Sequence, residues 1–330
     1  MIDAMITVVI MTFGLITNII VLLTARKMSS MRSSFGIITK NQAVCNILMC
    51  LLFLIFVGPL HFTSLKLPYK ASRFVGTVSM IIYEIAAQLN FFNSLNRFCA
   101  VYMIFLYDRI FSNFNTYMLR NFAVVVSIGM CFTFYEFLGC YLYFEQESWL
   151  FSYPENDVRC DQLTWYCDFI FNMSLVVATL FLNLLAAYKA RKLHRIVSDS
   201  TGVGMSKDQR QREFNFIRQS FFQGLSMSVA LIFYRITAPM LENQILLFLD
   251  ANLWAFMLAF EGLVQIFSQF LRTFIGGRPR YNLIVQPGND ASRQEKEARS
   301  VGFYSQINYR FIFFRTNIVS LRTGHLSYVV

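Results

Sequence analysis

The chain contains seven runs of about 20 or more mostly apolar residues, and these runs constrain its fold more than any other feature. A run of this length crosses the hydrocarbon core of a bilayer as one helix. The runs lie at 4–25, 41–60, 75–98, 122–143, 166–188, 217–241 and 245–270. Because a span in lipid must satisfy its own backbone hydrogen bonds, we predict an all-α membrane protein. Residues 1–272 would form a seven-transmembrane helix bundle.

Composition supports the membrane class. The chain is 56% hydrophobic and only 15% charged, whereas soluble domains carry about 25% charged residues. The run at 4–25 is too long for a cleavable signal peptide and has no basic leader, so we expect it to remain as the first span. The net charge of +10 would suit nucleic acid, but the basic residues cluster between the apolar runs and in the tail. We therefore expect a lipid bilayer and no nucleic acid as partner.

The distribution of lysine and arginine predicts the orientation. The first, third and fifth connections and the residues after the seventh run, together with Arg97 at the end of the third run, carry 23 of these side chains, whereas the other connections carry 4. Cytoplasmic loops hold the excess of basic residues. We predict an outside N-terminus, a cytoplasmic C-terminus and a multi-pass protein of the plasma membrane. Residues 273–330 are predicted to be a basic, disordered cytoplasmic tail.

Polar side chains inside the runs predict a ligand cavity. Glu84 and Gln88 are four residues apart, so they share one helix face, and a carboxylate at this depth faces the bundle interior. Glu136, Tyr234 and Arg235 fall in the outer halves of their spans. We predict that these five residues line a cavity for a small-molecule ligand that opens to the outside. The alternative is a buried polar network that only fixes helix packing.

Other buried polar positions favour structural roles. Glu261 and Asn18 are expected to link helices by hydrogen bonds. The sequon at 172–174 lies inside the fifth run and is interpreted as chance. The sequence has no zinc-ligand spacing, no phosphate-binding glycine loop and no nucleophile motif. We therefore expect no enzyme activity, no metal and no cofactor.

Short motifs in a fixed order resemble the Srx class of nematode serpentine chemoreceptors, over most of residues 1–275. They are Ser34-Phe35-Gly36 with Asn41-Gln42-Ala43, Asn96-Arg97-Phe98-Cys99-Ala100 with Tyr107 and Ile110-Phe111-Ser112, Glu213-Phe214-Asn215-Phe216 with Gln219 and Gln223, and Glu261-Gly262-Leu263 with Phe267 and Arg272. The resemblance implies a G-protein-coupled receptor for small environmental molecules, placed in sensory neurons and their ciliary membrane, with a heterotrimeric G protein as partner.

The resemblance also implies coupling residues at the inner end of the third span. Arg97 would contact the G protein, with Asn96 and Tyr107 beside it. Asn96 is neutral, so Arg97 has no acidic neighbour in sequence, and Glu213 at the base of the sixth span is the nearest acidic candidate. We predict that an Arg97–Glu213 pair holds the inactive state, because breaking a desolvated pair is costly. The alternative is that Arg97 only sets topology.

Cys140, Cys160 and Cys167 lie near the outer face, where disulfides persist. The start of the third span has no cysteine, so a bridge from that helix is excluded. The family pattern favours a Cys140–Cys160 disulfide. Cys160–Cys167 is the alternative, and spacing does not decide between them.

Two other functional classes remain open from the sequence. A seven-span ion channel should show a polar stripe along a pore, whereas the first run is uncharged and the fifth carries a single charged residue, near its start. A transporter built from inverted repeats fits poorly with an odd number of spans. A retinal pump would need a lysine in the seventh run, and 245–270 contains none. Current recordings in a host without G proteins would separate a channel from a receptor.

Overall fold

The computed structural model describes residues 2–27, 33–62, 68–145, 150–153, 157–201, 221–233, 236, 253, 256–257 and 259–266. Five helices within this part are long and apolar enough to cross a membrane, namely Met5–Arg26, Ser34–Leu60, Tyr69–Tyr102, Asn113–Phe137 and Val158–Lys192. They correspond to the first five predicted spans. The sixth is described as the apolar helix Phe221–Ile232, and the seventh over helical residues 259–266.

The regular elements follow one another in this order. The helices are α1 (Ile2–Lys27), α2 (Ser34–Leu52), α3 (Gly58–Phe62), α4 (Tyr69–Tyr102), α5 (Ile104–Ile110), α6 (Asn113–Cys131), α7 (Val158–Leu163), α8 (Phe171–Thr201) and α9 (Phe221–Ile232). Three π-helical segments, Phe53–Val57, Phe132–Phe137 and Thr164–Ile170, interrupt the second, fourth and fifth spans. Two strands, β1 (Tyr143–Glu145) and β2 (Leu150–Ser152), precede α7.

Helix α4 lies at the centre of the described bundle. It packs against α2, α6 and α8, and its first turns also contact β1. Within the most apolar stretch of each span, 61% of the residues are buried in the third span but only 17% in the fourth. The helix of the fourth span, Asn113–Phe137, exposes large apolar side chains at helical spacing, namely Phe114, Met118, Phe122, Val125 and Phe132. Such a stripe on a peripheral helix fits contact with lipid.

A β-hairpin covers one end of the bundle, which we call the hairpin end. Strands β1 and β2 pair antiparallel, with Phe144 opposite Phe151, and both phenylalanines are buried in the main apolar core. The fourth helical segment ends at Phe137, and Gly139 adopts φ = 77°, which favours glycine. The prediction that the fourth span continues to residue 143 is therefore wrong: the apolar residues after Gly139 pack on the bundle rather than cross lipid.

Other boundaries differ because hydropathy detects only the part of a helix that lies in lipid. The helix of the third span, α4, extends over Tyr69–Tyr102 rather than 75–98. The helix of the second span, α2, begins at Ser34 rather than at residue 41. The added turns contain polar residues such as Ser34 and Ser72, which are buried against other parts of the protein. Backbone hydrogen bonding therefore continues where the hydropathy signal falls.

Candidate functional site

Five polar side chains from three spans and the hairpin meet at the hairpin end, and we call them the Glu84 cluster. Glu84 comes from α4, and Tyr135 from the π-helical end of the fourth span. Asp168 lies in the π-helical segment before α8, Asn172 in the first turn of α8, and Tyr153 directly after β2. π-helical segments occur often at functional sites. Two of the π-helical segments given above, those of the fourth and fifth spans, supply members of the cluster.

One amide serves two carboxylates in this cluster. Asn172 Nδ2 donates to Glu84 Oε1 at 2.6 Å, to Asp168 Oδ1 at 3.2 Å and to the Asp168 carbonyl at 3.0 Å. The Tyr153 hydroxyl donates to Asp168 Oδ2 at 3.1 Å and lies 3.4 Å from the Tyr135 hydroxyl. Both acids are thus held close together in the bundle.

The cluster contains more acceptor atoms than donors. Glu84 is only 3% exposed, and within the described residues neither its Oε2 atom nor Asn172 Oδ1 has a hydrogen-bond partner. A buried polar atom left without a partner costs about 1–3 kcal/mol, and a buried charge without compensation costs more. The cluster is therefore poised to accept hydrogen bonds from a further group.

Glu84 and Asp168 line a small cavity at this position. Its other lining residues are Met130, Cys131, Phe134, Tyr135, Cys140, Leu163, Thr164 and Cys167. The walls thus combine two acids with aromatic and aliphatic surface. The internal space holds about one water molecule in this conformation.

The hairpin segment rests directly on the first turns of α4. Ser72 Oγ accepts from the Phe144 amide at 2.7 Å and donates to the Phe144 carbonyl at 3.1 Å. A Cβ atom at Gly76 would lie 2.0 Å from the Leu142 carbonyl oxygen, so this contact requires glycine. The chain after the fourth span is therefore fixed to the third helix near the Glu84 cluster.

Glu136, which the sequence assigns to the same cavity as Glu84, makes different contacts. It forms an ion pair with Arg73 and accepts from Thr77 Oγ1 at 3.4 Å. The Arg73 guanidinium also stacks 3.5 Å from the centre of the Tyr141 ring. Glu136 is absent from the cavity lining and instead ties the fourth span to α4 and the hairpin segment.

Of the other three predicted cavity residues, the structure describes only Gln88. Gln88 lies one turn from Glu84, is buried and donates to Ser127 Oγ at 3.1 Å, so it links α4 to α6. It is not among the residues that line the cavity. Tyr234 and Arg235 lie outside the described residues.

At the opposite end of α4, three of the four predicted coupling residues lie close together. Asn96 and Arg97 are both buried, and the Tyr107 hydroxyl donates to Asn96 Oδ1 at 3.4 Å. The Arg97 guanidinium lies 4.9 Å from the centre of the Phe35 ring, a cation–π contact that the sequence did not indicate. We call this the Arg97 end. Glu213 lies outside the described residues.

A second group of buried polar residues links three helices, and we call it the Glu261 cluster. Glu261 Oε2 accepts from Asn46 Nδ2 at 2.9 Å and from Gln42 Nε2 at 3.4 Å. Asn46 Nδ2 also donates to Asn18 Oδ1 at 3.2 Å. These bonds join the first, second and seventh helices, which is the structural role expected from the sequence for Glu261 and Asn18.

The structure contains a Cys140–Cys160 disulfide, the pairing favoured by the family resemblance, and Cys167 is a free thiol. The bridge ties the end of the fourth span to α7. In the part of the chain that the structure describes, no group of three or more His, Cys, Asp or Glu side chains could hold a metal ion.

Sequence reasoning missed Asp168, Asn172, Tyr135 and Tyr153. A signal for two of them was present, since Asp168 and Asn172 are four apart within an apolar run and so share one helix face. Asn172 was considered only as part of a sequon. Its side chain is fully buried in the bundle, which agrees with interpreting that sequon as chance.

Comparison with solved structures identifies the class of fold. The chain superposes on squid rhodopsin with a TM-score of 0.65, covering 90% of this chain and 89% of that chain at 12% sequence identity. The chain therefore shares the fold of that protein, a bundle of seven transmembrane helices, which confirms the predicted all-α membrane fold.

The sequence narrows this class to one family. Residues 8–269 match the family described as serpentine type 7TM GPCR chemoreceptor Srx, so the chain belongs to that family, as the short motifs predicted. Serpentine receptor class X 45 of Caenorhabditis elegans is 24% identical over 229 residues. The match covers 67% of this chain and spans 62% of the length of that relative.

Proposed function

We propose that this protein is a chemosensory receptor that binds a small environmental molecule at the hairpin end. It would signal through a heterotrimeric G protein at the Arg97 end. The observation that carries the proposal is the buried Glu84 Oε2 atom, which lies without a donor beside a small cavity. Membership of the Srx family and the rhodopsin-like fold support a receptor rather than an enzyme.

The orientation completes this proposal. The charge asymmetry supports an N-terminus outside and a cytoplasmic C-terminus, so that the hairpin end faces the environment and the Arg97 end faces the G protein. The setting would be the plasma membrane of a sensory neuron, including its cilium. A tag at residue 1 should stain on intact cells and a tag at residue 330 only after permeabilisation. The reverse staining would overturn the assignment of both ends.

Helix α4 provides the physical link between the two ends. It runs without interruption over Tyr69–Tyr102 and carries both Glu84 and Arg97, which at 1.5 Å per residue are roughly 20 Å apart. A ligand shifts the receptor only by binding one state better than the other. We assign ligand contact to Glu84, with Gln88 supporting its helix face and Tyr234 and Arg235 as further candidates. Asn96, Arg97, Tyr107 and Glu213 are assigned to coupling.

A ligand screen that reads a second messenger in cells expressing the chain tests this function. Arg97→Ala should abolish the response at unchanged surface expression, whereas Glu84→Gln should shift the ligand dose needed. A ligand-evoked current that persists in a host without G proteins would instead identify a channel. Ligand accumulation without a second-messenger change would identify a transporter.

A further inference from the structure

The chemistry of the Glu84 cluster restricts the ligand more than the fold does. Among the described residues the hydrogen bond to Glu84 comes from the neutral amide of Asn172. That amide is shared with Asp168. A neutral donor stabilises a carboxylate only in part, and a carboxylate as deeply buried as Glu84 needs a positive charge or a bound proton. Within the described residues, Glu84 is thus short of both hydrogen-bond donors and positive charge.

A protonated amine supplies both. An ammonium group carries three N–H donors and a full positive charge, and the cluster offers two acceptors without a donor in the described structure, Glu84 Oε2 and Asn172 Oδ1. A water molecule would supply donors without charge. Phe134 and Tyr135 line the same cavity, and aromatic faces attract a desolvated cation.

We propose that the ligand of this site is a small organic cation whose protonated amine bonds Glu84 and lies beside Asp168. The proposal rests on the function proposed above, in which the hairpin end receives the ligand. The cavity space, about that of one water molecule, matches an ammonium head group. Met130 and Leu163 in its wall would contact a short aliphatic body.

The charge of the connection between the fourth and fifth spans favours the same class of ligand. Residues 145–161 contain five acidic side chains, Glu145, Glu147, Glu155, Asp157 and Asp161, against one basic side chain, Arg159. A surface of one charge sign raises the local concentration of ligands of opposite charge. Small cations would be concentrated at the hairpin end, and anions would be repelled.

The rival explanation is a cation supplied by the chain itself, and Arg235 is the candidate from its position in the sixth run. Thermal unfolding of the purified full-length receptor without ligand separates the two. Glu84→Gln removes the charge but keeps the side-chain shape. If Glu84 awaits an external cation, this variant unfolds at the same or a higher temperature than the native receptor. If Arg235 neutralises Glu84, Glu84→Gln and Arg235→Gln each lower the unfolding temperature, which overturns the proposal.

The direct test uses the n-alkylammonium ions from methyl to butyl as probes. Sodium chloride at equal ionic strength and the matching n-alcohols are the controls. Alkylammonium should raise the unfolding temperature of the native receptor in a dose-dependent manner, and the alcohols and sodium should not. Glu84→Gln should bind about 30-fold or more weakly, because one partner of a buried charged contact is removed. Asp108→Asn, which removes an exposed acid on α5, at the Arg97 end of the bundle, should bind normally.

No alkylammonium shift, or equal shifts in the native and Glu84→Gln receptors, would overturn the proposal. A shift with alcohols as large as with amines would also overturn it. Since the readout is binding, its outcome is separate from that of the proposed function. Amine binding without a second-messenger response would count against G-protein signalling alone. A response to neutral ligands that Glu84→Gln leaves unchanged would count against the amine alone.

Discussion

The Glu84 and Glu261 clusters each bury one glutamate to the same extent, 3% exposed, yet they differ in hydrogen bonding. One oxygen of Glu261 accepts from two amides, Asn46 and Gln42. Glu84 has a single amide donor, which it shares with Asp168, and its other oxygen has none among the described residues. The fully buried atoms without a hydrogen-bond partner in the Glu261 cluster are the neutral amide oxygens of Asn46 and Gln42, whereas in the Glu84 cluster a carboxylate oxygen is among them.

The two clusters show how the hydrogen bonding of a structural acid differs from that of a proposed ligand-binding acid in the same membrane bundle. In the acid that joins helices, Glu261, one carboxylate oxygen is held by two amides of the second span. An acid that waits for a ligand keeps a carboxylate oxygen available, and the resulting cost must be offset by packing elsewhere. At the hairpin end, the fixed contacts around Ser72, Gly76 and the disulfide provide that support.

The largest expected effect comes from removing the two acids in turn. Glu261→Leu should destabilise the receptor by roughly 2–4 kcal/mol, because it leaves the Gln42 amide without its acceptor and removes one of the two acceptors of the Asn46 amide. Glu84→Leu should cost less than about 1 kcal/mol, since Asn172 Nδ2 keeps its bond to the Asp168 carbonyl and a poorly compensated acid is removed. Thermal unfolding of ligand-free receptor measures both. Equal losses of stability in the two variants would contradict the distinction between a structural acid at Glu261 and a ligand-binding acid at Glu84.

The disulfide near the Glu84 cluster should have the next largest effect. Cys140→Ser and Cys160→Ser should each lower stability by about 3 kcal/mol, as expected for a bridge that closes a loop of this size. Surface delivery should fall equally in both, and the double variant should be no worse. Cys167→Ser is the matched control and should be delivered normally. Normal delivery and ligand response in both single variants would contradict a stabilising bridge.

The contact of the hairpin segment with α4 gives a sharper local test. Gly76→Ala should cost about 1–3 kcal/mol and weaken ligand binding, because the added Cβ meets the Leu142 backbone, which cannot yield as a side chain does. Gly129→Ala is the control, since no atom lies within 4 Å of its added Cβ. It should leave ligand binding unchanged and gain about 0.5–1 kcal/mol. Ligand dose–response curves and unfolding temperatures distinguish the two variants. Equal ligand affinities in Gly76→Ala and Gly129→Ala would show that the contact between Gly76 and Leu142 does not support the Glu84 cluster.

The smallest effects are expected at the Arg97 end, where both clusters stay intact. Glu213→Ala should raise signalling without ligand and Asn96→Asp should lower it, each within the roughly 1–3 kcal/mol usual for coupled sites. Arg97→Ala should abolish signalling, whereas Arg109→Ala, an exposed basic residue on α5, should retain it. Second-messenger output at matched surface expression is the measurement. Unchanged basal output in both Glu213→Ala and Asn96→Asp would show that no such lock exists.

Where sequence-based prediction succeeded, the information was local. The helices that cross the membrane are signalled by apolar runs, and α4 was correctly located through Glu84 and the Asn96-Arg97-Phe98 motif. The fourth span was the exception. Its apolar signal continued past Gly139 into residues that are buried by the hairpin, because hydropathy does not distinguish burial in protein from exposure to lipid.

The membrane class, the family and the positions of Glu84 and Glu261 in their spans can all be read from the sequence, since each follows from residues close together in the chain. The partners of these two acids depend on how the helices pack. Asn172 is 88 residues from Glu84, and Glu261 is 215 residues from Asn46. Glu136 pairs with Arg73 instead of lining the cavity with Glu84, because the contacts of a side chain depend on which helix faces meet. Periodicity within one helix gives its polar face, but only packing of the whole bundle sets what that face meets.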